Sequence, residues 1–338
     1  MRVAVVGATG VVGTTMLELL RTREFPAEEI VAFATPRSAG RELDGGLVVR
    51  GLDADADIEG FDIALFSAGA GTSREWAPRF VAAGATVIDN SSAFRRDPSI
   101  PLVVSEVNPH ALEAHRGLIA NPNCSTMQVM VALAPIQRAA GIERIVACTY
   151  QSVSGTGKKA LDELERQTAA VLRGEDPPAP SVYPEPIAFN VIGAAGNFAE
   201  GDDHTDEERK MQFETRKILE DERIGVAVTC VRVPVRVSHS VALNVQTREP
   251  LPVERARELL AQAPGIALEN VPTPLRAAGR DEVFVGRLRD DDSHPRAISM
   301  WVVSDNLRKG AATNAVQIAE ELVARGLTGA RAARAAAS

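Results

Sequence analysis

Three glycines in seven residues, Gly7-Ala8-Thr9-Gly10-Val11-Val12-Gly13, narrow the folds open to the first hundred residues of this chain. They stand between a short apolar run at 3–6 and a helical pattern that includes 16–21, and a second apolar run follows at 30–34. Strand, glycine-rich turn, helix and strand make a βαβ unit. In such a turn the backbone can approach a pyrophosphate closely, and the phosphates then rest on the helix N-terminus. The spacing is G-x-x-G-x-x-G, not G-x-G-x-x-G, so a plain glycine-rich turn remains the alternative reading. Apolar runs at 62–67, 86–89 and 102–104, with a helical stretch at 74–83, continue the alternation to about residue 122.

These elements predict an α/β chain with an N-terminal Rossmann-type, doubly wound dinucleotide-binding domain. After the second strand an NAD enzyme usually carries an acid for the ribose 2′-hydroxyl, whereas this chain reads Thr35-Pro36-Arg37-Ser38. An arginine there suits a 2′-phosphate, hence NADP; a solvated loop arginine is the duller possibility. The net charge of −8, with Lys and Arg gathered only weakly in the tail after Leu327, argues against a nucleic-acid partner. The N-terminal apolar run stops at Gly7, too short for a signal core or a membrane span, so a cytoplasmic protein without a membrane partner is expected.

A different pattern begins at Asn121-Pro122-Asn123-Cys124-Ser125-Thr126, where an extended segment turns into a helix starting near Thr126 and running to about 140. A cysteine at a helix N-terminus is favoured as the thiolate, although a lone cysteine is as readily inert packing. Cys124, Cys148 and Cys230 show no metal-ligand spacing, and no metal is expected. Beyond lie a strand at 145–151, a helix at 158–172 and an irregular segment at 174–186 holding five prolines. Thr205-x-x-Glu208 is a capping-box signature for a helix reaching about 220. Strands are expected at 226–237 and 239–247, with a hairpin from 282–289 and 297–303, then a final helix at 311–324 and a frayed tail at 330–338. The division expected is 1–123 plus 306–330 for the cofactor domain. Residues 124–305 would form an α+β catalytic and dimerisation domain with a large mixed sheet.

Four further segments complete a pattern: Ser91-Ser92-Ala93-Phe94-Arg95, Gln151-Ser152-Val153-Ser154-Gly155-Thr156-Gly157, Glu207-Glu208-Arg209-Lys210, and Arg232-Val233-Pro234-Val235-Arg236-Val237-Ser238-His239-Ser240. With the fingerprint and the cysteine segment, they resemble the aspartate-β-semialdehyde dehydrogenase family along nearly the whole chain. That resemblance implies NADPH-dependent reduction of aspartyl phosphate to aspartate semialdehyde with release of phosphate, on the route to lysine, threonine and methionine. It makes Cys124 the nucleophile of a thioester, His239 the general acid/base, Asn123 an oxyanion donor and Gln151 a residue orienting the substrate. Arg232 would hold the substrate α-carboxylate, Glu207 its amino group, and Arg95 and Lys210 the phosphate. The cofactor would be held by Gly7, Thr9, Gly10, Val11, Val12, Gly13, Thr35, Arg37, Ser38 and Ser67, and by Ser154, Gly155, Asn306 and Gln317. A homodimer or tetramer is implied as well.

The residues also admit plainer readings. His239 could be a satisfied strand-end histidine, Arg232 a surface strand residue, Gln151 merely a strand end, and Glu207 and Lys210 an i,i+3 pair on a solvated helix face. N-acetylglutamyl-phosphate reductases share the cofactor fold, cysteine and histidine, but an acetylated amine offers no charge to Glu207. A dinucleotide-binding protein without catalysis would need neither Cys124 nor His239, and a redox sensor would want a resolving cysteine nearby. One geometric condition is firm: Arg232 and His239 are seven apart, so an unbroken strand would point them to opposite faces. The chain must therefore break between them, at Pro234 or at Val237-Ser238. The family usually carries glycine where Ser238 stands.

Overall fold

The computed structural model describes residues 1–329; the tail at 330–338, expected to fray, lies outside the described residues. Two compact units are present: Met1–Asn123 with the C-terminal segment from Ala311, and Cys124–Gly310.

The first unit is built on a parallel six-stranded sheet. From edge to edge its strands are Arg50–Gly51, Glu29–Ala34, Arg2–Val6, Ile63–Phe66, Thr86–Asp89 and Leu118–Ala120. Sheets of this kind are covered on both faces, and Arg2–Val6 shows how the sequence arranges it. Val3 and Val5 enter one apolar layer with Leu19 of helix Val11–Thr22 and with Val316 and Leu322 of helix Thr313–Arg325. Ala4 and Val6 enter the opposite layer with Trp76 and Phe80 of helix Gly69–Ala82. Phe80 stands edge-on to Phe33 and Phe66, at 5.9 and 5.3 Å between ring centroids. Each such side chain contributes roughly 1.5–3 kcal/mol by burial.

The strand expected at 102–104 is not one. Leu102 makes a single bridge to Ala120, and the edge strand is Leu118–Ala120, which the apolar pattern did not single out. Asn108 explains the difference: its side chain accepts from Val104 N at 2.9 Å and donates to Leu102 O at 3.0 Å, taking groups that a ladder would use.

In the second unit a mixed sheet runs in the order Gly225–Arg232, Ile142–Gln151, His239–Thr247, Ala297–Ser304, Val283–Asp290 and Ile266–Leu268. Its outer pairs are parallel and its inner pairs antiparallel, including the expected hairpin of Val283–Asp290 with Ala297–Ser304. Helices Cys124–Ala140 and Val253–Gln262 pack against one face. The second of these helices was missed, although Ala256 and Leu260 mark its buried side at i,i+4. On the other face Cys148, Tyr150, Asn244 and Trp301 remain only half-buried, and the Tyr150 and Trp301 rings lie 5.2 Å apart. The strand expected at 226–237 stops at Arg232. Pro234 has no amide hydrogen to continue the ladder, and Val235 N turns back to Val233 O at 2.8 Å.

The proline-rich segment at 174–186 contains no helix or strand, and helix Lys158–Leu172 secures the chain around it. Glu163 Oε2 accepts from Ser181 N, Ser181 Oγ and Val182 N, while Gln167 Oε1 accepts from Ile187 N and Ala188 N. Among the described residues no helix is long and apolar enough to cross a membrane.

In the first turn of the chain, Gly7 has φ +88°, a left-handed conformation that glycine adopts without penalty. Gly13 is there for space: a Cβ on it would fall 2.2 Å from Gly7 O. We expect Gly13→Ala to lower stability by about 1–3 kcal/mol or more through forced backbone movement, read as an earlier urea midpoint with unchanged slope.

Candidate active site

Cys124 is the first residue of helix Cys124–Ala140, two residues earlier than the sequence pattern suggested. No acidic residue occupies the first turn, and the positive end of the helix dipole favours negative charge on a side chain at the tip. The entering chain is held rigidly: Asn314 Nδ2 donates to Asn121 Oδ1 at 2.6 Å, and Asn121 Nδ2 donates to Asn90 Oδ1 and to Ala311 O. Asn123, directly before the cysteine, is buried. Gly310, in the π-helical turn Arg308–Ala312, backs the cysteine so closely that a Cβ on it would lie 2.9 Å from Cys124 Cβ. Cys230, by contrast, is fully buried, and desolvation pushes its thiol up to about 12, so it stays protonated.

Three strand ends converge in the same unit. Arg232 closes its strand in register with Gln151, the last residue of the neighbouring parallel strand. His239 opens the antiparallel strand on the other side, opposite Ser304. The break required by the odd spacing is made at 233–238, and both side chains reach Gly155: a Cβ there would meet His239 Cε1 and Nε2 at 3.2 Å and Arg232 Nη1 at 3.4 Å. Ser238 turns the chain with φ +76°, the conformation glycine would take freely. Its amide donates to Asn306 Oδ1 at 2.9 Å, which anchors the strained residue.

Arg232 Nη1 donates to Ser152 O at 2.7 Å, and its guanidinium lies 5.8 Å from the centroid of Tyr183, a ring from the proline-rich segment. Its buried Nε has no protein partner. Helix Asp206–Leu219 brings the acid and lysine to the same place. The capping box is formed, with Glu208 Oε2 accepting from Thr205 N and Thr205 Oγ1 from Glu208 N. Glu208 Oε1 also accepts from Cys230 N at 3.0 Å, tying the helix to the strand that ends in Arg232. Glu207 thereby approaches Gln151 Nε2 at 3.5 Å and pairs with Lys210 at 2.7 Å, while Lys210 also reaches Asp206 at 2.6 Å. Burial works against the Lys210 ammonium, yet Glu207 and Asp206 together outweigh it and hold its pKa above the usual lysine value. This pair sits in a largely buried setting, with side chains 14% and 20% exposed, not on a solvated face.

His239 is fully buried, and burial first, then the Arg232 charge, push its pKa down to about 3. A contact with the Ser238 backbone pulls the other way and is the smallest of the three effects. Burial and the Arg232 charge both favour the neutral imidazole over the imidazolium. Ser152 N donates to its Nδ1 at 3.0 Å, and Ser152 Oγ lies 3.1 Å from the same atom. Ser154 and Asn306, expected at the cofactor, join this cluster: Asn306 Oδ1 accepts from both serine hydroxyls at 3.1 Å. Ser152 and Tyr183 were not singled out by sequence; adjacency to Gln151 was the available signal for the first, and none existed for the second.

The other candidates belong to the first unit. Gly7 and Gly10 form the tight turn before helix Val11–Thr22, Gly13 of the helix packs against it, and the helix N-terminus has neither a side-chain cap nor an acid in its first turn. Thr9, Val11, Val12 and Ser67 are half-buried around that turn, and Thr35, Arg37 and Ser38 lie on the short turn after the second strand, with Arg37 exposed. Arg95 is buried and donates through Nη2 to Asn90 O at 2.7 Å. Gln317 Nε2 donates to Glu106 Oε1 at 3.0 Å.

Two family models place this chain in the semialdehyde dehydrogenase class. Residues 2–115 match the semialdehyde dehydrogenase NAD binding domain, and residues 133–309 match the semialdehyde dehydrogenase dimerisation domain. An aspartate-semialdehyde dehydrogenase of Aquifex aeolicus is 52% identical, covering 96% of this chain and 99% of its own. One from Streptomyces akiyoshiensis is 51% identical, covering 97% and 100%. The crystal structure of Vibrio cholerae aspartate semialdehyde dehydrogenase II complexed with ASA superposes with a TM-score of 0.92 at 50% identity, covering 95% of this chain and 98% of that one. The chain belongs to the aspartate-semialdehyde dehydrogenase family.

Two substitutions test the local geometry. Gly310→Ala displaces the cysteine backbone and should lower kcat at least 10-fold with a circular dichroism spectrum unchanged. Ser238→Gly removes a left-handed non-glycine residue and a buried hydroxyl without a partner, against the entropy of the added glycine. We expect a gain of about 1 kcal/mol, visible as a higher Tm.

Proposed function

We propose that the protein reduces L-aspartyl 4-phosphate to L-aspartate 4-semialdehyde with NADPH, releasing phosphate, in the biosynthesis of lysine, threonine and methionine. The observation that carries this reading is the broken strand 233–238, which turns Arg232 and His239 to one side beside Gly155, in the unit that begins with Cys124.

Cys124 attacks the acyl carbon as a thiolate, phosphate departs, and the thioester is the species reduced. Asn123 helps stabilise the developing oxyanion, and His239 acts on the oxygen and sulfur of the tetrahedral species. A donor so placed is worth roughly 3 kcal/mol in an acyl-transfer site. Arg232 grips the α-carboxylate, its unpartnered Nε and nearby Tyr183 ring fitting a planar anion. Glu207 takes the substrate amino group, Gln151 orients the chain, and Arg95 and Lys210 hold the phosphate. Lys210 already has two carboxylate partners, so phosphate would replace one of them.

The residues fit the cofactor. Helix Val11–Thr22 has an uncapped N-terminus behind a turn in which a Cβ on Gly7 or Gly13 would strike backbone, the cradle a pyrophosphate needs. Thr35, Arg37 and Ser38 suit the 2′-phosphate of NADP, with Ser67, Ser154, Gly155, Asn306 and Gln317 completing the binding set. When bound, NADPH supplies the hydride. A homodimer formed through the half-buried sheet face around Tyr150 and Trp301 is consistent with the dimerisation domain, and tetramers could build on it. Residence in the cytoplasm goes with the pathway.

The reverse reaction is the direct assay. Phosphate-dependent NADP reduction with L-aspartate semialdehyde should be seen with the native protein and fall at least 1,000-fold in Cys124→Ala. A folded, NADP-binding native protein without turnover would defeat the reading and direct attention to N-acetylglutamyl phosphate.

A further inference from the structure

The chain of the proline-rich excursion returns to the sheet at Arg232 and meets it twice. Ile192 forms an isolated antiparallel bridge with it: Arg232 N donates to Ile192 O at 2.8 Å, and Ile192 N donates to Arg232 O at 3.0 Å. Earlier in the same stretch, the Tyr183 ring lies 5.8 Å from the guanidinium. One contact fixes the backbone of the arginine and the other lies against its charged end.

The ring is itself fixed. Tyr183 OH donates to Thr156 Oγ1 at 3.0 Å, and Val182 and Tyr183 pack against buried Val153, Ala160 and Leu164. The chain leading to it is held by Glu163 Oε2, which accepts from Ser181 N at 2.7 Å and Val182 N at 3.0 Å. Thr156 closes the short turn Val153–Thr156, and Ser152, whose carbonyl accepts from Arg232 Nη1, stands directly before that turn. Guanidinium and ring are thus both tied to the chain that follows Gln151. The Nε of Arg232 is left over, buried and without a protein partner, so the fork keeps a donor for a ligand.

We propose that Tyr183 is a positioning residue whose ring holds the Arg232 guanidinium in the orientation that meets the substrate α-carboxylate. The proline-rich segment then sets the affinity for that carboxylate without touching the reacting atoms. This rests on the reading of the reaction given above. An arginine is a long side chain that loses rotamer freedom when a ligand fixes it, and a contact already made in the free protein spares that loss on binding. A delocalised guanidinium also gains directly from an aromatic face. The plainer alternative is that Tyr183 only covers the apolar cluster around Val153. Phenylalanine and leucine at this position separate the two, since both keep apolar cover and only phenylalanine keeps the ring.

In the phosphate-dependent assay, Tyr183→Leu should raise KM for L-aspartate semialdehyde about 10-fold, the size of a desolvated cation–π contact, with kcat within about 3-fold of native. KM for phosphate and for NADP should not change. Tyr183→Phe should keep KM for the semialdehyde within about 3-fold of native, the hydroxyl contact being the lesser part. An unchanged KM in Tyr183→Leu, equal losses in Phe and Leu, or a fall in kcat with all three KM values rising together overturns the proposal. A second readout needs no turnover. In nitrogen-15 spectra of arginine-labelled protein, the Arg232 signals are assigned by their loss in Arg232→Lys. Restricted rotation should keep the two Nη groups of Arg232 distinct in native protein and in Tyr183→Phe, and they should merge in Tyr183→Leu. Identical Arg232 signals in native and Leu proteins also overturn the proposal. A native protein that shows the restricted guanidinium but does not reduce NADP counts against the reaction and leaves the role of the ring standing.

Discussion

One buried oxygen, Asn306 Oδ1, holds the turns of the second unit in register. It receives two serine hydroxyls from the turn after Gln151 and the amide of Ser238, and so links the end of one strand to the start of the next but one in sequence. Without that acceptor the buried amide of Ser238 would be unsatisfied, at roughly 1–3 kcal/mol. The same contact makes the left-handed Ser238 tolerable, because an anchored amide offsets backbone strain of about 1–2 kcal/mol. The position of His239 follows from that turn, and the convergence of His239 with Arg232 follows from the position.

The segment carrying Asn306 does more than supply an acceptor. At Ser304 it is paired in register with His239, and six residues later Gly310 lies against Cys124. Gly310 N returns to Asp305 O at 3.0 Å, while Asp305 Oδ1 accepts from Leu307 N and Arg308 N, so the path between these ends is internally braced. Cys124 and His239 are thus referred to one short, stiff stretch of chain, not to a flexible connection. Preorganisation of this kind lets a site act on a carbonyl without the cost of arranging its donors during the reaction.

Legibility from sequence followed the locality of the physics. The capping box at Thr205 and Glu208 and the helix Lys158–Leu172 are determined within a few residues, and both were readable. The need for a break between Arg232 and His239 was readable from parity alone, but its bounds were not, since they depend on Val235 turning back to Val233 and on the distant Asn306. The run at 102–104 misled because its apolar side chains are buried as a strand's would be, while its ladder groups are diverted to the Asn108 side chain. Leu118–Ala120 is too short for a periodicity to declare itself. Tyr183 reaches Arg232 from a proline-rich segment whose path is set by Glu163 and Gln167 of the preceding helix, which no local pattern encodes.

Absent side chains contribute as much to the site as those present. Gly155 leaves the space that His239 Nε2 and Arg232 Nη1 share, and Gly310 lets a turn approach the cysteine to within a carbon's reach. Gly13 does the same for the turn that precedes the first helix. In each case the adjoining group is backbone or a side chain that is buried or half-buried. Protein interiors are packed too densely to absorb an added methyl without displacing something. The chemistry-bearing residues, Cys124, Arg232 and His239, are common types that could serve ordinary structural ends. Glycine beside them, the Ser152 amide at Nδ1 of the imidazole and the fixed acceptor of Asn306 give them one geometry.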